Sequence, residues 1–321
     1  MIVEIAAVLA GFALLIWGAD KFVLGAAGMA RTLNVSALII GLVIVGFGTS
    51  APEMLVAGVA GWEGNTGLAI GNAIGSNITN IALVLGVTAL VVPLVVHSNL
   101  LKREFPALFI IMGLSLVLML DGELSRIDGF IFLTGLLLFM GWMIRLGKQS
   151  QNQDPMQEEF EEEIPDKLPI GKAIFWLLTG LVVLLVGARL VVWGAVAIAQ
   201  SFGVSDLIIG LTIVAIGTSL PELATTIVSA KKGEHDIAIG NIIGSNMFNT
   251  LGVLGIPAVI HPEVFNSEVL SRDMVMMIAL TIALYFMAKG RTGSLGEINR
   301  FEGAGLVAAY LGYMGLLYYM S

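Results

Sequence analysis

Residues 46–54, GFGTSAPEM, lie inside a long apolar run, ALIIGLVIVGFGTSAPEMLVAGVAG at 37–61. A helix in lipid ordinarily keeps a carboxylate out of its middle, because the charge costs ~2.5–3.5 kcal/mol there. It also avoids proline, which has no N–H to donate and crowds the preceding turn. Gly46, Gly48, Thr49, Ser50, Pro52 and Glu53 nevertheless stand together. The stretch recurs: residues 38–93 and 207–262 align without a gap at an offset of 169, with half of their positions identical. GTSAPE (48–53) returns as GTSLPE (217–222), and GNAIGSNITN (71–80) returns as GNIIGSNMFN (240–249). Apolar composition alone does not reproduce two polar motifs in register.

The surrounding chain is that of a polytopic membrane protein. Of its 321 residues 57% are hydrophobic and 12% charged, and mean hydropathy is +0.93. A soluble domain carries about 25% charged residues. The N-terminal apolar run lacks a basic leader and is read as a first span rather than a cleaved signal. With no cysteine, disulfides and thiolate metal sites are excluded. His97, His235 and His261 all fall at segment ends, which argues against an imidazole site within the membrane. The net charge of −8 comes largely from DPMQEEFEEEIPD at 154–166, a solvated linker without the spaced ligands of a calcium-binding loop.

Spans of ~20 apolar residues are expected near 3–26, 37–60, 67–91, 104–120, 127–146, 170–200, 206–230, 236–260, 272–289 and 302–320. Sorted by connecting loop, Arg31, Lys102, Arg103, Arg145, Lys148, Lys167, Lys172, Lys231, Lys232, Lys289, Arg291 and Arg300 share one side. Arg126 and Arg272 hold the other. The basic side is cytoplasmic, which places both termini outside. Five spans per repeat is an odd number, so the second repeat enters the membrane from the opposite face. The expected fold is an all-α integral membrane protein. Ten transmembrane helices form two inverted-topology five-helix repeats, with broken helices at a midplane ion site. The halves are 1–147 and 170–321, joined by an acidic cytoplasmic linker at 148–169. The location is a plasma or inner cell membrane.

The motifs supply hard oxygen ligands. Pro52 is expected to break its helix just before it, with Gly46 and Gly48 allowing the chain to unwind and Thr49 or Ser50 capping the new half-helix. Carbonyls of residues 46–49 would then be free beside Glu53. Gly217, Thr218, Ser219, Pro221 and Glu222 repeat this arrangement, beginning near Gly210. Asn72, Ser76 and Asn80 are spaced by four and share a helix face, as do Asn241, Ser245 and Asn249. Gly71 and Gly75, with Gly240 and Gly244, are expected to permit close helix approach. Two carboxylates, neutral amides, hydroxyls and carbonyls suit calcium, which takes roughly six to eight oxygens. Sodium, of similar radius, suits the same oxygens. An architectural proline kink explains less, since two buried charges are expensive. Capping alone would account for Thr49, Ser50, Thr218 and Ser219, and interhelical hydrogen bonding for Asn72 and Asn241. Asp20, Lys21 and Arg189 are read as interfacial anchors. GFGTSA also fits a dinucleotide fingerprint, but without strand–turn–helix context, and Ser50 has no histidine in a span to activate it. Neither an enzyme nor nucleic-acid binding is expected.

Electrostatics alone point to antiport. An empty site with both glutamates ionised carries −2, and switching its exposure through a low-dielectric layer is costly. One calcium, two sodium ions or two protons neutralise it, and a third sodium leaves +1 and makes transport voltage-sensitive. Only loaded forms switch readily. A passive cation channel is the alternative of another class.

GTSAPE with GNAIGSNITN, and GTSLPE with GNIIGSNMFN, resemble the two alpha-repeats of the calcium/cation antiporter superfamily, most closely its microbial sodium/calcium exchanger branch. The resemblance implies that Glu53 and Glu222 bind calcium with main-chain oxygens of Thr49 and Thr218. It implies sodium sites at Ser50, Ser219, Ser76 and Ser245 with the carbonyls of Gly46 and Ala215, and Asn80 and Asn249 completing the centre. It further implies exchange of three sodium ions for one calcium, with no prosthetic cofactor. The partners expected are these ions and the lipid bilayer, without an obligatory protein. Relatives that also carry potassium typically have Asp where this chain has Asn249, which disfavours potassium co-transport. The proton-coupled branch ranks second.

Overall fold

A computed structural model describes residues 2–33, 35, 39–64, 66–96, 98–149, 168–202, 215–289 and 296–320. Most of the acidic linker, His97, Gly210 and the first part of the expected 206–230 span lie outside these residues. Among the described residues five helices precede the linker: α1 (Ile2–Leu33), α2 (Ile40–Trp62), α3 (Thr66–Val91), α4 (Ser98–Met119) and α5 (Arg126–Gln149). Five follow it: α6 (Ile170–Ser201), α7 (Leu220–Lys231, after a turn at Ala215–Thr218), α8 (His235–Ile260), α9 (Val269–Ala288) and α10 (Arg300–Met320).

Among the described residues seven helices are long and apolar enough to cross a membrane: α1, α2, α3, α5, α6, α8 and α9. The other three expected spans are also helical. α4 and α10 run for 22 and 21 residues, but α4 opens on Lys102, Arg103 and Glu104, and glycines and tyrosines dilute α10. α7 is described only from its Ala215 turn. Large apolar side chains such as Leu9, Leu55, Leu137, Leu138 and Val182 stand exposed on outer faces, a surface suited to lipid rather than water.

Among the described residues four short strands tie the halves together: β1 (Leu94–Val96), β2 (Glu123–Leu124), β3 (Glu263–Val264) and β4 (Gly296–Ile298). β1 pairs antiparallel with β4, Leu94 opposite Ile298, and β2 pairs antiparallel with β3, Glu123 opposite Val264. β1 and β3 follow the third helix of their halves, and β2 and β4 precede the last. Exchanging the halves therefore converts one ribbon into the other.

α1 and α6 pack along most of their length. Gly11, Gly18 and Gly25 of α1 and Gly180, Gly187 and Gly194 of α6 are each spaced by seven. Gly11 meets Gly187 and Gly18 meets Gly180, while Gly25 lies on Ala173 and Leu177 and Gly194 on Glu4 and Val8. A methyl at Gly18 or Gly180 would fall on the partner's backbone, so this seam is held by close backbone approach. The pair is peripheral, with only 22% and 28% of its apolar windows buried against 89% for α8. α3 and α8 occupy the centre. Their polar motif faces thus lie inside the bundle, next to α2 and α7.

Two local expectations need correction. Pro52 does not break its helix: Gly46–Trp62 is continuous with the proline inside it. The irregularity comes earlier, as a wide π-helical turn at Ile40–Val45. There Gly46 N–H reaches back to the Gly41 carbonyl, five residues away, so the Leu42 carbonyl loses its ordinary α-helical donor. Gly244 of α8 lies against that carbonyl, and a methyl at Gly244 would overlap it. The second half does break where expected. Ser219 leaves helical geometry (φ −90°, ψ 5°), and Pro221 sits in the first turn of α7, where its missing N–H costs nothing. The second correction concerns Gly71 and Gly75: nothing among the described residues stands within 4 Å of a methyl built on either. Their face is not a close contact there, whereas Gly244 is.

Candidate cation site between α2, α3, α7 and α8

Glu53 and Glu222 come from helices on opposite sides of the repeat and are each 1% exposed. They lie close enough for their charges to repel one another. The hydroxyls of Thr49 and Ser50 stand toward Glu222 without reaching hydrogen-bonding geometry with its carboxylate. Ser50, Ser76, Asn80, Ser219, Ser245 and Asn249 are all buried around them. The repeat expected from the sequence therefore brings its polar faces together.

The hydrogen bonds divide these groups into two classes. Thr49, Asn241 and Ser245 are framework. Thr49 Oγ1 donates to the Val45 carbonyl at 3.1 Å and meets Asn241 Oδ1 at 3.1 Å and Ser245 Oγ at 3.3 Å. Asn241 Nδ2 donates to Thr226 Oγ1 at 2.9 Å. Asn241 thus has the interhelical role weighed above, and the Thr49 hydroxyl knits α2 to α8 instead of capping a half-helix. Ser245 Oγ also approaches the Gly46 carbonyl at 3.4 Å, which joins two of the expected sodium ligands. In the other half the Ala215–Thr218 turn packs against α3, the helix that carries Ser76. Asn72 is only half-buried, and its Nδ2 has no partner.

The second class is unpaired. Glu53 Oε2, both carboxylate oxygens of Glu222, Ser50 Oγ, Ser219 Oγ, Asn80 Oδ1 and both polar atoms of Asn249 are buried without a hydrogen-bond partner. Leaving a buried polar group unmade costs ~1–3 kcal/mol, more for a charge. So many orphaned oxygens around two carboxylates are placed to receive water or an ion, and hard oxygens in this number suit a calcium- or sodium-sized cation. Among the described residues no cluster of three His, Cys, Asp or Glu side chains is present. The negative charge of the centre is therefore that of the two glutamates, Asn249 being neutral.

Sequence reasoning passed over Asn77 and Asn246. Asn80 Nδ2 donates to Asn246 Oδ1 at 3.1 Å, which turns the Asn80 oxygen away from that contact. Asn246 is anchored in turn, its carbonyl accepting from Thr250 Oγ1 at 2.8 Å, and Asn77 Nδ2 donates to the same hydroxyl at 2.9 Å. The signal was available: in both motifs an asparagine follows the serine and stands three residues before the expected ligand asparagine. A second feature left no sequence signal. In each half a π-helical turn begins at that asparagine, Asn80–Leu85 and Asn249–Val253. Such turns are frequent at functional sites because they re-aim one side chain.

Comparisons with known proteins identify the family. A family model described as "Sodium/calcium exchanger protein" matches residues 3–145 and 172–319, both halves but not the linker. CaxA of Alkalimonas amylolytica, whose name carries antiporter as a provisional description, is 49% identical over 318 residues, covering 99% of each chain. The sodium/calcium exchanger MaX1 of Methanosarcina acetivorans is 32% identical, covering 97% of each. A solved structure of the sodium-calcium exchanger NCX_Mj, soaked with sodium and strontium, superposes with a TM-score of 0.83 at 34% identity over 98% of both chains. The protein is thus an all-helical membrane protein that belongs to the sodium/calcium exchanger family, in the calcium/cation antiporter superfamily.

Proposed function

We propose that the protein is a secondary active antiporter that exchanges sodium for calcium by alternating access. The carrying observation is the pair of buried carboxylates, Glu53 and Glu222, ringed by unpaired oxygens. Calcium sits between the two, with main-chain oxygens of Thr49 and Thr218 and the amide oxygens of Asn80 and Asn249. Sodium occupies flanking positions at Ser50, Ser76, Ser219 and Ser245 with the carbonyls of Gly46 and Ala215. Two negative charges make the calcium-loaded centre neutral and the three-sodium form +1. The cycle is then electrogenic at three sodium to one calcium.

The architecture we infer is ten spans in two inverted halves, 1–147 and 170–321, with both termini outside and the 148–169 linker in the cytoplasm. The swapped ribbons support it. In an alternating ten-span chain the β1 and β4 loops fall on one face and the β2 and β3 loops on the other, which matches their pairing. The match to NCX_Mj over nearly the whole chain supports it as well.

Calcium flux in proteoliposomes tests the reading, with sodium, potassium and proton gradients imposed separately. Uptake is expected only against an opposing sodium gradient, and a membrane potential should alter its rate. Equal uptake driven by a pH gradient alone would replace sodium coupling with proton coupling. Current that persists without a counter-ion would make the protein a channel.

A further inference from the structure

α7 carries a stripe that α2 lacks. Three, four and seven positions after Glu222 stand Thr225, Thr226 and Ser229, in line on one helix face. All three are fully buried. The matching positions in the first half are Val56, Ala57 and Ala60. A line of hydroxyls therefore runs from Glu222 toward the Lys231 end of α7, and no such line runs on from Glu53.

These hydroxyls are not ordinary helix filler. Thr226 accepts from Asn241, but Thr225 Oγ1 and Ser229 Oγ have no hydrogen-bond partner. A buried hydroxyl on a helix usually donates to the carbonyl four residues back. Thr49, Thr88, Thr250 and Thr281 all do so here. Thr225 and Ser229 do not, although each has such a carbonyl behind it. Their oxygens are therefore buried and unspent on one face of α7, three and seven positions past Glu222, while the other buried threonines among the described residues are satisfied.

We propose that Thr225 and Ser229 form a cation waypoint between Glu222 and the Lys231 end of α7, a neutral-oxygen subsite for sodium in transit. This rests on the exchanger reading above and adds a sidedness to it. Neutral hydroxyls are hard ligands without the charge that would trap an ion. They hold a cation firmly enough to draw it in and loosely enough to release it to the glutamates. Because α2 lacks the stripe, the waypoint serves only the face at the Lys231 end, the cytoplasmic one in the proposed orientation.

The test is the double variant Thr225→Val, Ser229→Ala in right-side-out and inside-out membrane vesicles, with sodium titrated on each face against calcium flux. Valine has the shape of threonine, and no hydrogen bond of the fold is lost, so the variant is expected to remain monodisperse. Half-saturating sodium should rise about tenfold on the Lys231 face, as ~1.4 kcal/mol of lost interaction would produce, and stay unchanged on the other. Thr225→Ser, which keeps the hydroxyl, should restore wild-type values when Ser229 is intact. Values unchanged on both faces, or shifted equally on both, would overturn the waypoint. Ser229→Ala alone is the milder change and carries the same one-sided expectation. If wild-type vesicles themselves show no sodium-driven calcium flux, the exchanger reading fails and the waypoint with it. If they do and the variants match them, the waypoint alone fails.

Discussion

Replacing Glu53 with Gln keeps the shape of the side chain and removes one of the two charges at the centre. Glu53 is 1% exposed, its Oε2 has no partner, and it faces the like charge of Glu222. Holding one such charge deep in a helix costs ~2.5–3.5 kcal/mol, a cost the bound cation must at least offset. Loss of the charge should then weaken calcium binding by about 3 kcal/mol, roughly a hundredfold in Kd. The same change removes the repulsion with Glu222, so the ion-free protein should become more stable. Thermal unfolding of the solubilised protein against calcium reads both effects. At a calcium concentration of about 100 wild-type Kd, linkage stabilises wild type by ~2.7 kcal/mol. The variant, near its own Kd at that concentration, gains only about 0.4 kcal/mol by the same relation. Refutation would be an ion-free Tm that falls on substitution, together with a calcium-dependent rise equal to that of wild type.

Other substitutions probe the framework. Gly244→Ala drives a methyl into the Leu42 carbonyl and should cost about 1–3 kcal/mol, seen as a lower Tm; wild-type stability would mean the α2–α8 approach is not tight. Asn246→Leu takes the acceptor from Asn80 Nδ2. A calcium titration should then show affinity reduced about tenfold for a loss near 1.4 kcal/mol, though Asn246 is no proposed ligand. Asn249→Asp adds a third carboxylate, and calcium uptake is expected to become sensitive to an imposed potassium gradient. Lys232 pairs with Asp20 at 2.7 Å, but the two side chains are 34% and 40% exposed. Asp20→Asn should therefore shift stability by less than about 1 kcal/mol, and choline chloride should shrink the shift further.

Much was legible because the polar motifs are written twice. Glu53 and Glu222 stand out in any apolar run, and the 169-residue offset pairs every candidate ligand with a counterpart. An odd number of spans per copy is also what makes inversion the topology proposed here. The asymmetries were not legible. Pro52 and Pro221 occupy matching positions, yet the helix stays whole around the first and breaks before the second. A proline inside a helix removes a hydrogen bond and one in the first turn does not, and the packing around the chain decides which of the two places each proline takes.

Local chemistry along the chain determined the membrane environment, the two-fold repeat and the stock of hard oxygens, since hydropathy, motif spacing and ligand type all reside in single residues or their periodicity. Packing between distant segments determined which of those oxygens are spent on the framework, as at Thr49, Asn241 and Ser245, and which stay unpaired, as at Glu222, Asn80 and Asn249. It also set the π-helical turns and the Gly244–Leu42 approach. A hydrogen bond between residues nearly two hundred positions apart depends on how two helices are placed, and neither helix carries that information alone.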